Sequence, residues 1–117
     1  MTTTPDPSDI HVLIRRVVEA MKAGLSREMF DALAELALAD PDDVMPELFV
    51  EIEDAAAGLD ISTIVATDLL PDPSVTAAIA DAVIREDVTG LHLAVPGGYS
   101  ALLPTCVAAV VALELSR

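Results

Sequence analysis

Apolar positions recur along this chain at helical spacing. Ile10, Leu13, Ile14, Val17, Val18 and Met21 follow the i, i+3, i+4, i+7 pattern and leave Arg15, Arg16, Glu19 and Lys22 on the other side. Asp6, Pro7 and Ser8 make a helix start with proline at the first helical position, Asp9 falls in the first turn, and Gly24 supplies a stop. A Ser26 cap predicts a second helix to about Ala39, burying Met29, Phe30, Leu33, Leu36 and Ala37 and exposing Glu28, Asp31 and Glu35. Asp40, Pro41, Asp42 and Asp43 end it.

A third helix is expected from Val44 or Met45, with Pro46 in its first turn, to Gly58. Leu48, Phe49, Ile52, Ala55, Ala56 and Leu59 form its core stripe, while Glu47, Glu51 and Asp54 line an outer face. Like charges at that spacing cost about 0.2–0.5 kcal/mol per pair, which core packing outweighs. Ser62 caps a shorter helix to Leu70, and Asp72 with Pro73 opens another that buries Val75, Ala78, Ile79, Ala82 and Val83. Beyond Arg85 the register weakens. Residues 88–95 carry β-formers and alternate poorly, which fits a short strand, an extended connector or a continued helix. Pro96, Gly97 and Gly98 then make a turn before a last helix from about Ser100 to Leu115.

The pattern predicts an all-α fold, a single-domain bundle of five to six short helices with a possible short extended segment near 88–95. Residues 1–8 form a polar lead-in and 9–117 one helical domain. A chain of 117 residues buries roughly 65% of its unfolded surface, enough to dispense with a metal or disulfide framework. The 53% hydrophobic content excludes disorder despite a net charge of −14. Cys106 has no partner for an intrachain disulfide and falls in an apolar run, as a small buried residue in a reducing compartment would. With no basic leader in residues 1–9, the expected location is cytoplasmic. Residues 93–113 hold no charge, yet Pro96, Gly97 and Gly98 interrupt them, so the segment is read as a core or subunit-interface helix and not a membrane span.

Charge divides the chain. Between Arg27 and Arg85 there are 57 residues with fourteen acids and no Lys, Arg or His. Residues 1–92 carry the whole net charge of −14, while residues 93–117 hold one acid, Glu114, and one base, Arg117. Such a field must meet a cationic partner, bound cations or salt, or persist as repulsion that aids solubility. Direct nucleic-acid binding is excluded as an expectation, because phosphate neutralisation needs clustered Lys and Arg.

Motifs for chemistry are sparse. Asp40, Asp42 and Glu51 fall at positions one, three and twelve of a calcium-loop template, but Val44 and Met45 occupy positions that need an oxygen ligand and a glycine. One Cys and two distant His, His11 and His92, make no zinc set, so no metal or cofactor is expected. No motif joins Cys106 to His92 as a nucleophile and base, and both are read as ordinary packing residues. The turn at 95–100 lacks the spacing and lysine of a phosphate loop. An acyl-carrier arrangement fails because Ile61 separates Asp60 from Ser62.

The resulting expectation is a non-enzymatic protein-interaction module, an adaptor or assembly subunit in a homo- or hetero-oligomer, whose partner has a basic surface. Its contact residues would be the acidic face of Asp40, Asp42, Asp43, Glu47, Glu51 and Asp54. Leu102, Leu103, Val107, Val110 and Val111 would form an apolar face for a partner or oligomer, and the same five suit a plain core helix. The alternative is an inhibitor or immunity-like protein, including a nucleic-acid mimic, that binds a basic enzyme.

Overall fold

Capping chemistry sets the helix boundaries. In the computed structural model, which describes residues 7–59 and 72–116, six helices form and no strand occurs among the described residues. They are α1 (Pro7–Ala23), α2 (Ser26–Leu38), α3 (Pro41–Ala56), α4 (Pro73–Ile84), α5 (Val88–Ala94) and α6 (Tyr99–Leu115). The fold is all-α, as the apolar spacing predicts. The helix expected from Ser62 to Leu70 lies outside the described residues.

Aspartates open three of the helices. Asp40 Oδ1 accepts from the Asp42 amide at 2.9 Å, and Pro41 takes the first helical position of α3. Asp72 and Pro73 repeat the arrangement at α4, with the Ser74 amide donating at 3.1 Å. These caps satisfy amides that a helix start otherwise leaves unpaired. Asp40 and Pro41 therefore start α3, which begins three residues before Val44, and Pro46 sits inside the helix. At α5, Asp87 Oδ1 accepts from the Gly90 amide at 2.9 Å. A Cβ on Gly90 would lie 2.5 Å from Asp87 Oδ2, so glycine is what admits the cap. Residues 88–94 are accordingly helix; Leu91 within it and Val95 at its C-cap are both buried and four apart, as helical spacing requires. At α2 the expected Ser26 cap is absent: Leu25 occupies that position and makes no side-chain cap.

Helix ends follow one motif twice. After α1, the Gly24 amide bonds Met21 O at 3.2 Å and the Leu25 amide bonds Ala20 O at 2.9 Å. After α4, the Glu86 amide bonds Val83 O at 3.1 Å and the Asp87 amide bonds Ala82 O at 2.8 Å. Both are Schellman ends, whose pivot residue must adopt positive φ. Gly24 does so at 74° without strain, whereas Glu86 does so at 56° with a full side chain.

The core is organised around α6. Its apolar residues cover every side, with Leu102, Leu103, Cys106 and all of 107–113 buried, so it has no solvent face through most of its length. It packs against α1, α2, α3 and α4. Ile10, Ile14, Val17 and Val18 of α1 and Val44, Leu48 and Ile52 of α3 are each at most 1% exposed in the same cluster. Leu36, Ile79 and Leu91 add α2, α4 and α5 to it. The α2 stripe differs from expectation. Ala32 and Leu36 are buried, but Phe30 is 62% exposed and Ala37 is exposed, because α1 covers the opposite side of α2 and only a few residues of α6 reach this one. On α4, Ala78 is exposed while Thr76 and Ala80 are buried. Among the described residues no single helix is long and apolar enough to cross a membrane; α5 and α6 have the composition jointly but bend by 90° between them.

Glu86→Gly relieves the left-handed strain at the α4 terminus and is expected to stabilise the fold by about 0.5–1 kcal/mol. Urea denaturation of the variant beside the parent protein measures it.

Candidate functional site

The described surface offers three places where side chains could act on something else: a buried ion-pair cluster, the acidic helices, and the apolar grooves between helices.

The ion-pair cluster joins α1, α3 and α6. Arg15 stands mid-way along α1, one residue past the buried Ile14, and its side chain is 32% exposed. Its Nη1 donates to Glu114 Oε2 at 2.6 Å and to Glu51 Oε2 at 3.1 Å, and its Nη2 donates to Glu19 Oε1 at 2.6 Å. Lys22, two turns further along α1, donates to Glu114 Oε1. His11 Nδ1 lies 2.9 Å from Glu51 Oε1. Glu51, only 7% exposed, is thus held from both sides by α1. The Glu114 hydrogen bond raises the Arg15 guanidinium well above its usual range; burial opposes this, and Glu51 adds to it. Burial alone would raise the Glu114 carboxyl, but hydrogen bonds from Arg15 and Lys22 outweigh it and hold the group below the usual carboxylate range.

This arrangement separates residues that the sequence places in one row. Asp40, Asp42 and Asp43 are exposed at the N-terminus of α3, where the helix dipole favours negative charge. Glu47 is half-buried one turn on. Glu51 turns inward to Arg15, and Asp54, though exposed, lines the hollow between Lys22 and Glu114. The expected outer face of α3 is therefore two clusters, an exposed one at residues 40–43 and a cation-bound one at Glu51. Arg15 and Lys22, which the α1 pattern assigns to an outer side, reach across to carboxylates 36 and 92 residues away. Two signals pointed to them: Arg15 and Lys22 are seven apart on one helix face, and Glu114 is the lone acid of the uncharged tail.

Leu102, Leu103, Val107, Val110 and Val111 are all at most 4% exposed and belong to the chain's own core. Of the two roles open to them they take the core one. Exposed apolar surface lies instead on α2, where Phe30 is 62% and Leu38 is 89% exposed. Phe30, Leu33, Ala37, Tyr99 and Pro104 line a hollow of about 370 Å³ between α2 and α6. Burial and the nearby Asp40 raise the Tyr99 phenol, whose hydroxyl has no hydrogen-bond partner among the described residues. A second hollow of about 300 Å³ lies where α3, α4 and α5 meet, with Phe49, Val83 and Leu91 in its walls.

The candidate chemical residues do not converge. Cys106 is fully buried, and burial pushes its thiol up to about 12, so no thiolate is available at neutral pH. His92 is exposed on α5, not half-buried as its neighbours Leu91 and Leu93 suggest. Among the described residues no three His, Cys, Asp or Glu side chains are grouped so as to hold a metal ion. Asp40 and Asp42 are engaged at the α3 cap while Glu51 faces α1, so the calcium-like spacing runs along a helix and does not wrap a loop. No family model, curated protein or solved structure matches the chain.

Glu114 carries a linked pH dependence. Its folded carboxyl is depressed, so its stabilising contribution is present above the ordinary glutamate value of about 4.3 and is lost as pH falls through the lower folded value. Glu114→Gln is expected to cost about 1–3 kcal/mol at neutral pH and to flatten the acid limb of the stability profile. Denaturant unfolding of both proteins across the acid range checks both effects.

Proposed function

We propose that this chain is a non-enzymatic protein-interaction module, an adaptor or assembly subunit, whose acidic helical surface engages a partner with a basic surface. The observation that carries this reading is where the cations go. Arg15 and Lys22 are drawn into the Glu51 and Glu114 cluster, Arg85 pairs with Asp81 at 3.0 Å, and Arg16 lies 4.0 Å from Glu35. Four of the protein's six bases are thus paired with internal or neighbouring acids. The carboxylates Asp40, Asp42 and Asp43 are exposed at the N-terminal end of α3. A fixed negative surface steers a cationic partner and selects against an acidic one. The apolar part of the contact is supplied by Phe30 and Leu38 on α2, since the α6 residues are occupied by the core. A net charge of −14 also opposes self-association at low salt, which favours a hetero-complex over a homo-oligomer.

The test is affinity isolation from the native cell lysate at ~0.05 and ~0.5 M salt. Proteins of basic charge are expected to be retained at the low salt and released at the high one, and Asp42→Asn with Asp43→Asn is expected to weaken their retention several-fold. Retention that ignores both salt and these substitutions would sink the reading.

A further inference from the structure

The hollow at the junction of α3, α4 and α5 combines two features that neither the core nor the capping scheme requires together. Its floor is apolar: Phe49 is half-buried, while Val83 and Leu91 are nearly covered at 5% and 2% exposed. Its rim is acidic: Glu53, Glu86 and Asp87 line it, and no base does. Asp87 is engaged in capping α5, but the carboxylates of Glu53 and Glu86 have no hydrogen-bond or ion-pair partner among the described residues. Val88, 58% exposed, extends the apolar surface outward. Glu86 is also the residue that holds a positive φ where glycine would serve the helix end better. Its side chain is therefore kept at a cost in backbone strain beside an apolar floor.

A volume of about 300 Å³ is at the lower limit of ligand cavities and suits one or two anchoring side chains on a larger partner. Charge complementarity decides which. An acidic or neutral apolar segment would leave Glu53 and Glu86 partly desolvated without a counter-charge, whereas a Lys or Arg brings an aliphatic stem and a cationic head in one side chain. We propose that this groove seats a basic amphipathic helix of a partner protein. A Lys or Arg stem lies on Phe49 and Leu91, its head lies between Glu53 and Glu86, and neighbouring apolar residues of the same helix cover Val88. The inference rests on the interaction-module reading and adds to its Asp40–Asp43 contact a second, separate anchoring place for a basic partner.

The test uses the full chain and two synthetic helical peptides of about 18 residues and equal positive charge, one with a Leu face and Lys flanks, the other with its Leu residues replaced by Ser. Fluorescence anisotropy gives affinities for the parent protein, for Glu53→Gln with Glu86→Gln, and for Asp42→Asn with Asp43→Asn as the acidic control. The Leu–Lys peptide is expected to bind at least about tenfold more tightly than the Ser peptide, and the Glu53/Glu86 pair of substitutions to weaken it about tenfold. The Asp42/Asp43 pair should change it less than twofold, and amide chemical shifts should move at Val83, Val88 and Leu91. Glu86→Gly serves as a second variant, one whose backbone change favours the fold: it is expected to melt higher and bind more weakly. Equal binding of the two peptides, or loss only with the Asp42/Asp43 substitutions, overturns the groove while leaving an acidic contact surface in place. Binding of neither peptide overturns the groove alone; the interaction-module reading is decided separately by the salt-dependent retention from lysate. A second copy in the groove would appear as self-association blocked by Val88→Glu, and would also overturn the proposal.

Discussion

Everything in this molecule is arranged around a helix that has no polar face. An α-helix buried on all sides cannot lie on a surface; it must be surrounded, and the elements that surround it must offer apolar stripes inward and dispose of their charge outward. Helices α1, α3 and α4 do this for α6, and α2 adds a partial contact. The inner positions are mostly Ala, Val, Leu and Ile, whose small volumes let helices approach closely.

Charge then follows from packing. Two acids occur where the wrapping helices bring them toward the core: Glu51 of α3 and Glu114 near the end of α6. A carboxylate held at 7% exposure is costly unless it is paired, and α1 supplies Arg15 and Lys22 on the facing side. The cluster therefore joins the first helix to the third and the last through one Arg that meets both Glu51 and Glu114. It also engages two of the six Lys and Arg residues. The outer acids are left uncompensated because twenty acids face only six Lys and Arg residues.

Strain and capping show how local rules give way. Asp40, Asp72 and Asp87 each cap a helix in the ordinary manner, and Gly24 ends α1 in the ordinary manner. Glu86 takes the same pivot position without being glycine. Its departure from the rule coincides with an apolar hollow rimmed by carboxylates, and the tension between helix-end geometry and side-chain chemistry is concentrated at that one residue.

Much of the architecture is legible in the residues themselves, because helix periodicity and Asp-Pro starts are local signals that do not depend on neighbours. The apolar positions of α1, α3 and α4, the turn at Pro96 to Gly98 and the burial of Cys106 all follow from spacing of a few residues. The start of α3 was open to misreading since Pro46 resembles a first-turn proline, and α5 because Val88 and its neighbours carry β-formers whose helical spacing only shows in Leu91 and Val95. What tertiary structure alone decided is which outward-looking side chains are outward. Arg15 meets Glu114 across 99 residues of chain, Glu51 turns in while Asp42 stays out, and Phe30 is exposed because none of the described helices covers it. Local pattern sets each helix and its apolar stripe; the meeting of charges and the choice of exposed surface depend on how the stripes close around α6, and no local spacing contains that.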